Sequence, residues 1–478
     1  MKNNSGKKIL GLLGGSILFL FIIFLPTPKG MSLSAWHTTA VALLMAVFWI
    51  TEVIPLYVTA LIPIVLFPIL NISTIHQTAA PFGHPLIFLF LGGFLLAEGI
   101  QKWGLHKRIA LKIIKFIGVS PKRIIAGFML SSAFLSMWIS NTATALMMLP
   151  IGLSVISVIK ASKGLEEKQQ RNFSVALLLS IAYSCSIGGI ATLIGTPPNA
   201  LMSAFMMETY KVDISFAKWL LIGLPFSLIS LPLTYLLLTN IIFKLNIKLN
   251  IKKDVIENEI KGIGKITREE RIMQIVFVIT ALLWVLRPLL SKYIQGISDS
   301  GIAILGAIVL FFIPSRSGNT ILEWKDSKNI SWGILILFGG GLSLAQGIKN
   351  SGLSEWIANA VLGSGEIPVL LMIILLTASI IFLTELTSNT ATTAAFLPII
   401  ASIGIGMGLN PLQLVVPATI AASCAFMLPV ATPPNAIIFS SNEVKIKDMT
   451  RAGILLNIVF IFIIVLLSNS LGGIVFGY

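Results

Sequence analysis

Ser140-Asn141-Thr142-Ala143-Thr144 and Ser388-Asn389-Thr390-Ala391-Thr392 are one five-residue string used twice, 248 positions apart, each time inside a long apolar stretch. Downstream of each comes a second repeated string, Thr196-Pro197-Pro198-Asn199 and Thr432-Pro433-Pro434-Asn435, 236 positions apart. In hydrocarbon an unpaired peptide group is costly, so irregular backbone persists there only where it lines a cavity or a site. Tandem prolines remove two donors and keep the preceding residue out of a helix. Gly195-Thr196 and Ala431-Thr432 are therefore expected to be unwound, with free carbonyls.

The surroundings of these strings are those of a membrane protein. Of the 478 residues, 56% are hydrophobic and 11% charged, with a mean hydropathy of +0.94. Soluble domains carry about 25% charge. The apolar runs suit spanning helices and not the ~10-residue alternation of a barrel. They predict eleven spans, near 9–25, 35–50, 53–70, 84–101, 173–208, 216–243, 272–293, 300–313, 331–348, 412–440 and 452–474. The stretches 124–159 and 368–405 are too long for one span, and each reads as a re-entrant hairpin with its Ser-Asn-Thr string near the middle.

With the N-terminus inside and both hairpins returning to their own side, 28 of the 34 Lys and Arg residues fall on the inner face. The six on the outer face are Lys29, Lys211, Lys218, Arg287, Lys292 and Lys349. This bias obeys the positive-inside rule, which also accounts for the net charge of +15 without invoking nucleic acid. The expected location is the plasma (inner) membrane, multi-pass, with the C-terminus outside. The run from Ile9 to Leu25 follows Lys2, Lys7 and Lys8 and ends in Pro26-Thr27-Pro28-Lys29 with no small-residue cleavage site, so it reads as a retained first helix. Cys185 and Cys424 occupy matching places in the two halves and have no zinc or redox spacing.

The repeat extends beyond the two strings. Gly92-Gly93 matches Gly340-Gly341, Gly99 matches Gly347, Gly104-Leu105 matches Gly352-Leu353 and Pro150 matches Pro398, all at an offset of 248. An odd number of spans between the halves points them in opposite directions, which makes the repeat inverted. Residues 104–117 carry His106, Lys107, Arg108, Lys112 and Lys115 among apolar side chains, an interfacial pattern, and 353–365 stand at the matching place.

Helix N-termini at such breaks carry partial positive charge and suit a carboxylate. Carbonyls and hydroxyls suit Na⁺. Ionisable residues in the apolar stretches are few: Glu52, Glu98, Glu385, Arg287 and His84. Glu385, three residues before Ser388, is expected to support the second hairpin, and His84, before Pro85, to cap a span. There is no H-E-x-x-H, G-x-S-x-G or Walker string, and His37, His76, His84 and His106 neighbour no nucleophile, so an enzyme is not expected.

At the paired strings the chain resembles the divalent anion:sodium symporter family, the dicarboxylate carriers of the ion transporter superfamily, from about Trp49-Ile50-Thr51-Glu52 to the last span. The resemblance implies an all-α polytopic protein of about eleven transmembrane helices plus two re-entrant hairpins in an inverted repeat, with scaffold and elevator transport domains, as a homodimer. On that plan 1–120 hold first-repeat scaffold helices and an interfacial arm helix. Residues 121–244 hold transport elements, namely hairpin 121–160 and broken helix 173–208. A cytoplasmic loop spans 245–271, and second-repeat scaffold helices span 272–366. Residues 367–478 hold the matching transport elements, hairpin 368–405 and broken helix 412–440. Carried over residue by residue, substrate carboxylates would meet Asn141, Thr142, Thr196 and Pro197 from one half and Asn389, Thr390, Thr432 and Pro433 from the other. One cation site would use Ser136, Ser140, Asn141 and Gly195, and a second Thr384, Thr387, Asn389 and Ala431.

The resemblance implies a secondary carrier of C4–C6 di- and tricarboxylates such as succinate, malate, 2-oxoglutarate and citrate, with no cofactor and Na⁺ as coupling ion. Sodium symport is the first expectation. Sodium-independent exchange is the alternative, and a sulfate carrier or an intramembrane enzyme is more remote.

Overall fold

The apolar runs fold as helices. The computed structural model describes residues 2–118, 120–161, 165–246, 254–316, 318–362 and 368–478. Among these there is no strand beyond an isolated bridge between Pro314 and Thr320, and nine helices are long and apolar enough to cross a membrane. Part of the expected loop 245–271, residues 247–253, lies outside the described residues, as does the expected boundary at 366.

Both long stretches break where the Ser-Asn-Thr strings predict. Pro121–Ser136 is followed after four residues by Asn141–Ala161, and Val369–Thr384 after four by Asn389–Gly406. The two proline strings also interrupt helices. Glu167–Ile190 gives way to Pro197–Tyr210, and Leu412–Ala422 gives way to Pro433–Phe439. Glu167–Ile190 is the most enclosed element, buried at every residue from Phe173 to Ile190.

The two halves interlock through the glycine-bearing helices Pro85–Lys102 and Trp332–Asn350. A Cβ on Gly92 would lie 2.6 Å from the carbonyl carbon of Ala303, in the second half. A Cβ on its partner Gly340 would collide with the carbonyl oxygen of Ala60, in the first half. Gly99 and Gly347 repeat the exchange one turn pair further on, against the Met273 and Phe67 side chains. Glycine lets membrane helices approach until backbones touch, and the repeat places those approaches reciprocally.

Three features depart from the sequence reading. The span expected at 53–70 is two short helices, Leu56–Thr59 and Ile62–Ile69, because Pro55 and Pro63 each start a new segment. The loop 245–271 contains a helix, Asp254–Ile263, and the start of another, Arg268–Leu290. The latter is opened by a capping box in which the Thr267 hydroxyl accepts from the Glu270 N–H at 3.1 Å and Glu270 answers the Thr267 N–H at 2.8 Å. Arg108 reaches the same Glu270 with both Nε and Nη2, at 3.0 and 2.9 Å, so the amphipathic helix Leu105–Ile117 is tied to it. Finally, the second break is longer than the prolines alone require. It runs from Ser423 to Thr432, where Pro429 and Pro433-Pro434 account for Leu428 to Thr432 but not for Ser423 to Met427.

Candidate functional site

At the first hairpin tip, Ser140 caps the helix that follows: its hydroxyl accepts from the Ala143 N–H at 3.2 Å. Asn141 begins that helix. Its Oδ1 and the Ser136 hydroxyl are buried with no hydrogen-bond partner among the described residues. Asn141 Oδ1 points into a crowded oxygen cluster, whereas the Ser136 hydroxyl stands beside the Cys185 thiol. A Cβ on Gly189 would lie 2.7 Å from Asn141 Oδ1 and 3.0 Å from the Gly195 carbonyl oxygen. One on Gly195 would lie 2.9 Å from the Ser136 carbonyl oxygen and would strike that of Gly189. Glycine at 189 and 195 keeps this space free for something other than a side chain.

The second tip is wired differently. The Thr384 hydroxyl lies 2.7 Å from Asn389 Oδ1 and 2.9 Å from the Ala422 carbonyl oxygen. The Thr387 hydroxyl pairs with Thr392 at 2.6 Å and with the Leu383 carbonyl at 3.0 Å, so it is occupied within the tip. Glu385 is buried and reaches across to the Phe426–Leu428 backbone.

Two asparagines hold the breaks, and they do so at equivalent positions. Asn199 Nδ2 donates to the carbonyls of Gly189, Ile190 and Thr192 at 3.4, 3.2 and 2.8 Å. Asn435 Nδ2 donates to those of Ala425 and Leu428, both at 3.1 Å. Residues 425 and 428 lie 236 positions after 189 and 192, the offset of the proline strings. One side-chain amide therefore replaces the helical donors that each unwound segment has lost.

These elements surround one cavity of about 980 Å³. Asn141, Thr142, Thr196, Pro197, Asn389, Thr390, Thr432 and Pro433 all line it, as do Ser140, Gly195 and Ala431. Ser136, Thr384 and Thr387 do not; they are buried behind the tips. Four helices start at its wall, with first residues Asn141, Pro197, Asn389 and Pro433, and the first three of these run for 21, 14 and 18 residues. Each N-terminus presents about half a positive charge. Among the described lining residues the cation is Lys102, whose Nζ is 2.7 Å from Asp326, so its charge is already matched. Glu52 and Glu98 also line the cavity, Glu98 accepting from Asn329 Nδ2 at 2.7 Å. The site offers an anion backbone dipoles, amides and hydroxyls, and it offers a cation converging oxygens.

Other expected residues stand apart. His84 caps Pro85–Lys102, its Nδ1 accepting from the Leu86 N–H at 3.2 Å. Arg287 bridges Asp213 and Asp299 at 3.0 and 3.1 Å. Asn199, Asn435 and Gly189 lie outside the site expected from the sequence. The asparagines stand in the quoted proline strings, and the shared offset was the signal that marked them; Gly189 contributes backbone that no motif announces.

An all-helical chain whose two halves each bring a hairpin tip and a broken helix to one cavity has the build of a membrane carrier. The chain belongs to the family described as the sodium:sulfate symporter transmembrane region, which matches residues 6–478. It is 40% identical to the sodium-dependent dicarboxylate transporter SdcS of Staphylococcus aureus strain USA300, over 99% of this chain and 93% of that protein. The same protein of strain N315 matches equally. Among solved structures, the YdaH transporter of Alcanivorax borkumensis superposes with a TM-score of 0.57 at 12% identity, over 99% of this chain and 98% of that one. MtrF of Neisseria gonorrhoeae superposes with a TM-score of 0.58 at 14% identity, over 98% and 93%. These two share the fold.

Proposed function

We propose that the protein carries C4–C6 di- or tricarboxylates across the plasma membrane by sodium-coupled symport. The observation that carries this reading is the meeting of helix N-termini from both halves at one cavity lined by Asn141, Thr142, Asn389 and Thr390. Two carboxylates need two separated positive fields, and paired tips supply one each. The name of the 40%-identical S. aureus relative supports both the substrate class and the ion.

Sodium is a second cargo. At the first tip it takes oxygens of Ser136, Ser140, Asn141 and Gly195, joined by the Gly189 carbonyl, where the orphaned Asn141 Oδ1 fits a cation that prefers oxygen ligands. At the second it takes those of Thr384, Asn389 and Ala431, with Thr387 contributing backbone because its hydroxyl is occupied. Each bound ion adds positive charge beside a substrate carboxylate, which is how a pocket with a neutralised lysine holds a dianion.

The protein works as a homodimer, with its N-terminus inside, its C-terminus outside and an elevator movement of hairpins and broken helices past the remaining spans. Gly93, 3.6 Å by a built Cβ from Ile194, and Gly341, 3.3 Å by the same measure from Leu201, give those spans a smooth face toward the moving elements. In this orientation Glu98, Lys102 and Asn329 stand at the inner surface, so the cavity opens to the cytoplasm.

Uptake of radiolabelled succinate into proteoliposomes tests the reading. An inward sodium gradient should drive accumulation, and a potassium gradient should not. Uptake that ignores sodium but needs 2-oxoglutarate inside would establish exchange instead, and competition by sulfate with none by succinate would move the substrate class. Asn141→Ala and Asn389→Ala should each weaken uptake by roughly 10- to 100-fold at subsaturating succinate while the protein stays folded, since each removes a hydrogen bond to a charged group. A variant with normal uptake removes that residue from the site.

A further inference from the structure

We propose that Glu385 is a positioning residue that sets the sodium affinity of the second tip through the unwound segment opposite. The proposal rests on the sodium-coupled reading above. The side chain is 3% exposed and receives four donors. Its Oε1 accepts from the Phe426 N–H at 2.7 Å, the Met427 N–H at 2.9 Å and Asn457 Nδ2 at 2.7 Å. Its Oε2 accepts from the Met427 and Leu428 N–H groups at 3.0 and 3.1 Å. Three consecutive N–H groups turned onto one carboxylate make a backbone nest, here filled by the protein's own anion.

The other side of the same peptides is held too. The Tyr183 hydroxyl donates to the Phe426 carbonyl at 2.8 Å and Asn435 Nδ2 to that of Leu428 at 3.1 Å. With both sides fixed, the segment runs on to Ala431 and Thr432 at the cavity wall. Glu385 follows Thr384 directly, and the Thr384 hydroxyl touches Asn389 Oδ1. One side chain thus spans the two pieces of backbone whose oxygens form the second cation pocket. It fixes the distance between them without entering the cavity.

The first half lacks this device. The position 248 residues before Glu385 is Met137, whose backbone carbonyl and not side chain meets the break, accepting from the Thr192 hydroxyl, and the break is further held by Asn199 and by Trp219 Nε1 on the Ile190 carbonyl at 3.0 Å. The acid is therefore not a requirement of hairpin-to-break packing as such. It is particular to the half whose break is longer. Charge-assisted hydrogen bonds are about twice as strong as neutral ones, so removing the charge frees residues 426–428 and lets Ala431 drift from Asn389.

The test is a sodium titration of purified protein without substrate, read by tryptophan fluorescence and by thermal shift in sodium against potassium, followed by succinate uptake. E385Q should elute as a folded protein, with its half-saturating sodium raised about tenfold and its Hill slope reduced toward one site. Its KM for succinate at saturating sodium should change by less than about twofold, because the substrate amides are untouched. E385D, which keeps the charge but is one methylene shorter, should fall between. An unaltered sodium midpoint and slope in E385Q overturns the proposal. So does a loss of uptake that is equal at every sodium concentration, which would mark a purely structural acid. Should E385Q fail to fold, Asn457→Leu carries the test: it removes one donor, and an unchanged sodium midpoint overturns the proposal as well. A wild-type protein with no sodium-dependent shift brings down the sodium reading itself, whereas a wild-type shift shared unchanged by E385Q brings down this proposal alone.

Discussion

Asn199 and Asn435 show how a broken membrane helix is made tolerable. Each buried amide supplies donors to carbonyls that lost their helical partners when the chain unwound ahead of the proline string. Leaving a buried acceptor unpaired costs about 1–3 kcal/mol. Asn435→Ala strands the carbonyl of Ala425, while that of Leu428 keeps the Ala431 N–H, and Asn199→Ala strands that of Thr192. Each substitution is predicted to lower stability by about 1–3 kcal/mol and to lower uptake with it. Thermal unfolding in detergent measures the first effect. An unchanged melting temperature for Asn435→Ala would mean that water replaces the amide and that the break needs no side-chain partner.

Among the elements, the glycine-bearing helices do the joining. Gly92 on Ala303 and Gly340 on Ala60 are backbone-to-backbone contacts in which a methyl group has no flexible neighbour to displace. Gly340→Ala is predicted to destabilise the fold by about 1–3 kcal/mol through overpacking, with Trp332–Asn350 pushed away from Leu56–Thr59. Gly83 supplies the control: nothing lies within 4 Å of its added Cβ and its backbone is not left-handed, so Gly83→Ala should stay within about 0.5 kcal/mol of wild type. Equal melting temperatures for the two variants would show that the helices slide apart at no cost. The same helices turn Gly93 and Gly341 toward the broken-helix elements, so one face locks the halves together while the other stays smooth.

For the molecule as a whole, the charge distribution predicts orientation. With 28 of 34 basic residues on one side, the C-terminus belongs on the other. A cysteine at position 478 should react with a membrane-impermeant maleimide in intact cells. The native Cys185 and Cys424 are buried and add no background. Reaction only after permeabilisation would invert the topology and with it the side to which the cavity opens.

Membrane insertion, the two hairpins, the two breaks and the twofold internal repeat were legible in the chain. The reason is that hydrocarbon punishes every unpaired peptide group, so departures from an apolar helix stand out as strings such as Ser140-Asn141-Thr142 and Thr432-Pro433-Pro434-Asn435. The eight expected substrate residues all sit in those strings, but it is the family resemblance at the strings, and not the physics of hydrocarbon, that names them. The tertiary structure decided what depends on distant partners. It brought both tips to one cavity, where a linear motif specifies neither neighbour nor distance. It split 53–70 into two short helices and hid a helix in the loop 254–263. It also carried the second break back from Pro429 to Ser423, since the N–H groups of residues 426–428 find their acceptor in Glu385, about forty residues earlier in the chain. Local chemistry can forbid a helix at a proline. Only a folded partner can hold one open for another turn, and a side chain that far away in sequence is visible only once the chain has folded around it.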